Sequence, residues 1–173
     1  MSQAVPNGIL ANQFWADAEA YISAAKVLID AGDTKQPTYF LLSHALELAL
    51  KSYLLAKGAE PKDALRIGHD IAEAHRRAEN LGLRISGEHS IALIERLSEF
   101  HNALIFRYPI LTKDEGRLVL RGHLVRPDEI YDFVASVCQQ VLGSVLFARL
   151  DASRAGEFPI ETWHMGFPDP ANE

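Results

Sequence analysis

The segment from Phe40 to Leu55 constrains the fold of this chain more than any other. It reads FLLSHALELALKSYLL, with apolar residues at Phe40, Leu41, Leu42, Ala45, Leu46, Leu48, Ala49, Leu50, Tyr53, Leu54 and Leu55. Wound at 3.6 residues per turn, these positions cover most sides of an α-helix, and a helix apolar on most sides is buried on most sides. Pro37 suits a first helical turn, and Gly58 follows Lys57, so the helix is expected over about 37–57. It is therefore placed at the centre of a bundle. Its few polar residues include His44, Glu47 and Lys51, whose i, i+3, i+7 spacing puts them on one side.

Four further segments carry the helical period. The first runs from about Asn12 to Asp30, with a stripe at Phe14, Ala18, Tyr21, Ile22, Ala25, Leu28 and Ile29, and stops at Gly32. After a loop containing Pro61, another opens at Asp70, with Glu73 at the spacing of an aspartate version of the capping box. Ile71, Ala74, Ala78 and Leu81 form its inward face, and Gly82 ends it. A fourth starts near Ser86, with Ile91, Ile94, Leu97, Phe100, Leu104 and Ile105 as its stripe and Pro109 as its stop. The last opens at Pro127-Asp128-Glu129 and buries Ile130, Phe133, Val134, Val137, Val141, Val145 and Leu146, reaching about Leu150. Between the last two, Ile110 to Val125 reads as a short β-hairpin or an extended loop. The expected fold is all-α: about five helices forming a bundle over residues 1–154, then a C-terminal tail, 155–173, that docks by Trp163 or Phe158 or stays mobile.

Composition narrows the function. Hydrophobic residues make up 48% and charged residues 23% of the 173, values ordinary for one globular domain. No uninterrupted apolar run reaches the roughly 18–20 residues of a membrane span, and Met1 to Ala11 lacks the features of a signal peptide. The single cysteine, Cys138, has no internal disulfide partner and sits in a helical apolar pattern; a reducing cytoplasm is the expected home. A net charge of −6 argues against a dedicated duplex-DNA binder. The charge is uneven. Five bases (Arg107, Lys113, Arg117, Arg121, Arg126) face two acids between 107 and 126, whereas eight acids face two bases from Pro127 onward. The basic stretch is either a solvated face or a patch that meets an anion.

Several chemistries lack their residues. There is no phosphate-cradling glycine loop, Gly-x-Ser-x-Gly elbow or zinc cysteine pair, and no paired Glu-x-x-His motif for a di-iron bundle. His44, His69, Asp70 and a later acid such as Asp128 or Asp132 superficially suggest a metal-dependent phosphohydrolase, but Asp70 already serves as a helix cap. No metal and no cofactor are assigned. His44, Glu47 and Lys51 are read as a solvated face, an intrahelical Glu47–Lys51 ion pair or an interhelical polar network.

From Phe40 to Leu83 the chain reads FLLSHALELALKSYLLAKGAEPKDALRIGHDIAEAHRRAENLGL. An apolar helix with Ala45, Glu47 and Lys51, a glycine stop, and then Gly68-His69-Asp70-Ile71 opening another helix resembles the HEPN superfamily. Phe106-Arg107-Tyr108-Pro109 is similar to a phrase found there. The resemblance covers about half the chain and implies a four- or five-helix bundle that often dimerises. Many members are metal-independent RNases of toxin–antitoxin and phage-defence systems. Their motif is an arginine, four to six residues and a histidine, usually with a polar residue straight after the arginine; the histidine serves acid–base catalysis while the arginine holds the phosphate. Others lack the motif and bind nucleotides or partners.

The bare spacing occurs at Arg84/His89, Arg96/His101 and Arg117/His123, but Ile85, Leu97 and Leu118 follow the arginines, so no polar residue does. Arg96 and His101 are the best-placed catalytic pair because Asn102 and Arg107 lie on the same helix. They are nonetheless about 140° apart around its axis. The first expectation is a non-catalytic HEPN-like module that binds a nucleotide, an RNA or an antitoxin-like protein through residues among Arg107, Asn102, His44, Glu47 and Lys51, as a homodimer away from duplex DNA and membranes. The alternatives are a metal-independent ribonuclease acting as a dimer through Arg96 and His101, and a purely structural helical interaction protein.

Overall fold

A computed structural model describes residues 5–32, 35–85, 87–103, 113–114, 117–118 and 125–155. Six helices are described: α1 (Asn7–Asp30), α2 (Gln36–Ala56), α3 (Pro61–Arg66), α4 (Ile71–Asn80), α5 (Glu88–Asn102) and α6 (Pro127–Arg154). The fold is an all-α bundle. Its axis is α2, which packs against α1, α6, α4, α5 and α3. Leu42, Ala45, Leu46, Ala49 and Leu50 are fully buried on it, and Tyr53, Leu54 and Leu55 nearly so. Burying a leucine or isoleucine side chain is worth roughly 1.5–3 kcal/mol, so a helix with so many buried large residues organises the others.

The remaining helices use the stripes their periods announce, with adjustments. Helix α1 begins a turn earlier than expected, since the carbonyl of Pro6 accepts from the Ile9 and Leu10 amides and Asn7 Nδ2 donates to Ala59 O at 2.9 Å. The buried small residues Gly8 and Ala11 let this extra turn approach α6 closely. The loop expected around Pro61 contains α3, a single short helix with Pro61 at its start, Asp63 in its first turn and Arg66 in its last. Those are ordinary helix-start and helix-end residues, and their brevity hid them.

Asp70 caps α4 as expected, accepting from the Glu73 amide at 2.9 Å. Glu73 does not complete a reciprocal capping box; its carboxylate pairs with Arg76 and Arg77. Leu81, expected inward, is exposed, because the chain leaves the helix through Gly82 at φ +98° and Leu83 takes the buried place. On α5, Leu93, Ile94, Leu97 and Phe100 are buried, whereas Ile91 turns outward. Leu104, Ile105 and Pro109, expected to extend and stop this helix, lie outside the described residues, as do Trp163 and Phe158 of the expected tail.

Between α5 and α6 the described backbone is a two-residue antiparallel pairing of β1 (Lys113–Asp114) with β2 (Arg117–Leu118). The rest of the expected hairpin, residues 110–112, 115–116 and 119–124, lies outside the described residues, and this pairing alone does not support it, since two residues a side make no stable sheet. Helix α6 buries Ile130, Val134, Val137, Cys138, Val141 and Val145 against α1 and α2, but Leu146 is exposed. Among the described helices α6 is long and apolar enough, by length and composition, to cross a membrane. Ser136, Gln139, Gln140 and Ser144 break its apolar sequence into short pieces, so no uninterrupted run marks it.

Candidate functional site

The polar residues of α2 do not form a solvated face. Glu47 and Lys51 are buried, at 2% and 5% exposure, inside the bundle's most apolar helix. A buried charge must be paired, and Glu47 is paired on both oxygens. Its Oε1 accepts from Lys51 Nζ at 2.7 Å; the ammonium also donates to the carbonyl of Gly68 at 2.6 Å. Its Oε2 faces three imidazoles: His101 Nε2 at 2.8 Å, His69 Nδ1 at 3.1 Å and His44 Nδ1 at 3.4 Å.

Each imidazole arrives on a different element. His44 stands two turns before Lys51 and one turn after Phe40 on α2. Its ring stacks on Phe40 with centroids 5.6 Å apart and meets the edge of Tyr21 from α1 at 4.7 Å. His69 lies in the turn between α3 and α4. Gly68, at φ +65°, bends the chain there so that its carbonyl reaches Lys51 while the next side chain reaches Glu47. That turn is fastened to α5: Ser98 Oγ donates to Asp70 Oδ1 at 3.1 Å and accepts from the Ala72 amide at 3.0 Å. One turn beyond Ser98, His101 projects inward from α5. The His69 and His101 rings meet edge to face at 5.4 Å.

The cluster has a closed side and an open one. The His101 side chain is 1% exposed, that of His44 19% and that of His69 40%, so access from solvent runs past His69. Burial pushes the Glu47 carboxyl up, but hydrogen bonds from His101, His44, Lys51 and His69 outweigh it and hold the group well below the usual carboxylate range. Burial draws the His101 imidazole below its ordinary value despite the hydrogen bond and charge of Glu47, and His44 and His69 add to that lowering. The centre is therefore an ionised carboxylate surrounded by a lysine and three imidazoles. His101 Nδ1 is buried with no hydrogen-bond partner among the described residues.

The residues singled out from the sequence are thus redistributed. His44, Glu47 and Lys51 do converge, and His101 joins them instead of Arg96. The Arg96 guanidinium lies over the Phe100 ring, 5.1 Å from its centroid, and lines a separate depression with His89, Ala92, Leu93 and Val125. Asn102 is exposed at the end of α5, and Arg107 and His123 lie outside the described residues. Arg84 spends its guanidinium on the carbonyls of Glu79 and Leu83. The set of acids considered with His44 and His69 does not assemble: Asp70 is engaged by Glu73 and Ser98, Asp128 by Arg126 at the surface, and Asp132 is exposed.

A family model, described as the HEPN domain, matches residues 11–118. The chain belongs to the HEPN family. The matched span holds Tyr21 and Phe40 as well as all five members of the cluster, so the site is built within the HEPN domain itself. No curated protein and no solved structure matches this HEPN chain.

Two signals for the cluster were present in the sequence. Glu47, with His44 and Lys51 beside it, interrupts a helix that is apolar on most sides. His101 falls on the Ile94–Leu97 stripe of α5, where a polar ring needs a partner. Nothing local says that the two are each other's partner.

Proposed function

We propose that this chain is a non-catalytic HEPN module that binds a phosphate-bearing ligand, a nucleotide or RNA, at the mouth of the Glu47 cluster. The separation of Arg96 from His101 carries this reading. Within one chain the guanidinium lies over Phe100 while the imidazole is buried against Glu47, so the two do not face a common phosphodiester. What the open side offers is recognition. The half-exposed His69 ring supplies a hydrogen-bonding nitrogen edge for a phosphate oxygen, and the half-buried Tyr21 and Phe40 supply aromatic surface for a base.

The test is thermal denaturation and calorimetric titration with ATP, GTP and a short single-stranded RNA, alongside a metal-free RNA cleavage assay. Binding without turnover is expected, with a stabilisation of about 2.7 kcal/mol when ligand reaches a hundred times its dissociation constant. His69→Ala should weaken it. Metal-free cleavage abolished by His101→Ala would instead establish a ribonuclease. Failure to bind any of the three ligands would leave a structural or antitoxin-binding role.

The module is further proposed to work as a homodimer. Leu146, Phe147 and Leu150 place exposed apolar side chains on the C-terminal half of α6, a surface suited to a second copy. Light scattering on the eluting protein tests this directly; a monomer at micromolar concentration would dismiss it.

A further inference from the structure

Oε2 of Glu47 faces one imidazole too many. A carboxylate oxygen presents two lone-pair directions, yet three ring nitrogens stand around this one, at 2.8, 3.1 and 3.4 Å. They cannot all donate protons to it with good geometry. Any that does not donate turns a lone pair toward an anionic oxygen, in a place sealed from water on the His101 side. A cation among them would resolve the conflict, since each lone pair would then point at positive charge.

The geometry suits such an ion. One ligand atom from each of His44, Glu47 and His101 lies within 4.8 Å of the other two. Donors around a tetrahedral ion stand about 3.3 Å apart when its bonds are about 2.0–2.1 Å long. The separations of 2.8 and 3.4 Å from Glu47 Oε2 bracket that spacing. Two imidazoles and one carboxylate suit the zinc class of divalent ions; calcium and magnesium prefer oxygen ligands.

The surroundings also suit it. Metal-bound carboxylates are themselves hydrogen-bonded by an outer layer of residues. Lys51 occupies Oε1, leaving Oε2 as the metal-facing oxygen. The Phe40 stack and the Tyr21 edge fix the His44 ring, and the Asp70–Ser98–Ala72 fastening sets the distance between the His69 turn and α5.

We propose that His44 Nδ1, Glu47 Oε2 and His101 Nε2 form a three-ligand site for a divalent transition ion of the zinc class, entered past His69. Three protein ligands leave a coordination position open, as in zinc sites that bind an exogenous group. The site coincides with the proposed phosphate-binding mouth. It rests on that reading only for what fills the open position; ion binding needs no nucleotide.

The experiment uses the untagged full chain, stripped with chelator and titrated with zinc by calorimetry and with cobalt(II) by visible absorption. One ion per chain and the d–d bands of tetrahedral cobalt are expected. His44→Ala and His101→Ala should abolish the bands and weaken zinc binding beyond the roughly 10–100-fold that loss of an outer-layer partner costs. Lys51→Met should fall within that range. His89→Ala, outside the cluster, should leave both readouts unchanged. Circular dichroism confirms that each variant is folded; if His101→Ala unfolds, His44→Ala, at a less buried position, decides the matter. Absence of cobalt bands in the wild-type chain, or bands surviving in folded His44→Ala, would overturn the proposal. ATP titration of the stripped protein reads the phosphate site separately, so either result stands without the other.

Discussion

Nε2 of His101 lies 2.8 Å from Oε2 of Glu47, although 54 positions separate them in the chain. The contact ties α5 to α2 through a buried polar pair in a largely apolar bundle. Its energetics are asymmetric. Glu47 has four partners, whereas Lys51 has two, Glu47 and the Gly68 carbonyl. Removing the charge of Glu47 strands a buried ammonium; removing Lys51 leaves the carboxylate with three imidazoles. Breaking a buried pair from one side typically costs 3–5 kcal/mol. Glu47→Gln is expected to lose about 3 kcal/mol in urea denaturation, and Lys51→Met distinctly less. Equal losses would mean that the imidazoles do not support the carboxylate.

Two helical glycines should respond to alanine with opposite signs. Alanine exceeds glycine in helix propensity by roughly 1 kcal/mol. Gly143 on α6 has open space where a Cβ would go, so Gly143→Ala should stabilise by up to about that amount. At Gly8 a Cβ would run into the backbone carbonyl of Ala148 on α6. Gly8→Ala must therefore push α1 away from α6, and overpacking of this kind costs about 1–3 kcal/mol. A lower midpoint for Gly8→Ala beside a higher one for Gly143→Ala is the expected pair of results. A stabilising Gly8→Ala would show that the first turn of α1 does not approach α6 so closely.

These cases mark what the sequence could and could not announce. The rod around Leu46, the stripes of α1 and α6 and the Asp70 cap are local patterns, and periodicity or spacing reveals them. Ile91 and Leu81 show the limit, since a stripe fixes a helix's inward side only to within about a turn. Their orientation depends on where the helix stops and where its neighbour lies. The site was half legible. His44, Glu47 and Lys51 share a face in the sequence, whereas spacing pairs His101 with Arg96, five positions away on the same helix. Its true neighbour is on another helix. Such a meeting is decided by how α5 packs on α2, a long-range contact that local pattern does not encode.

His75 gives stability a pH dependence of its own. It is 6% exposed on α4, and burial lowers its proton affinity, with the nearby Glu79 carboxylate acting in the opposite sense. An unfolded histidine titrates near pH 6.5. The folded chain holds this proton less tightly than the unfolded one, so acid favours unfolding. The contribution is fully present above about pH 6.5 and is lost as the pH falls through the lower folded value. One such group adds a slope no steeper than about 1.4 kcal/mol per pH unit. Urea titrations of wild type and His75→Leu between pH 7 and 5 should diverge, the wild type losing stability faster; parallel lines would show that His75 is not the source.

Cys138 should behave as a core residue rather than a nucleophile. It is fully buried on the face of α6 that meets α1 and α2, and its carbonyl accepts from Trp15 Nε1 at 3.1 Å. Burial first, and the charge of Glu19 second, push its thiol up to about 12. The thiolate is the reactive form, and near neutral pH almost none is present. Any labelling must then pass through opening of the α1–α6 contact, and its rate should follow that opening. A thiol-reactive dye at pH 8 is expected to leave the native chain unmodified over hours and to label one site at once in denaturant. Denaturant far below the unfolding midpoint should accelerate labelling only as it promotes opening. Cys138→Ala should cost little, because one small buried side chain replaces another, whereas Cys138→Ser buries a hydroxyl and should destabilise by about 1–3 kcal/mol. Rapid labelling of the native chain would mean that the α6 seam is open to solvent and that Cys138 is not part of the core.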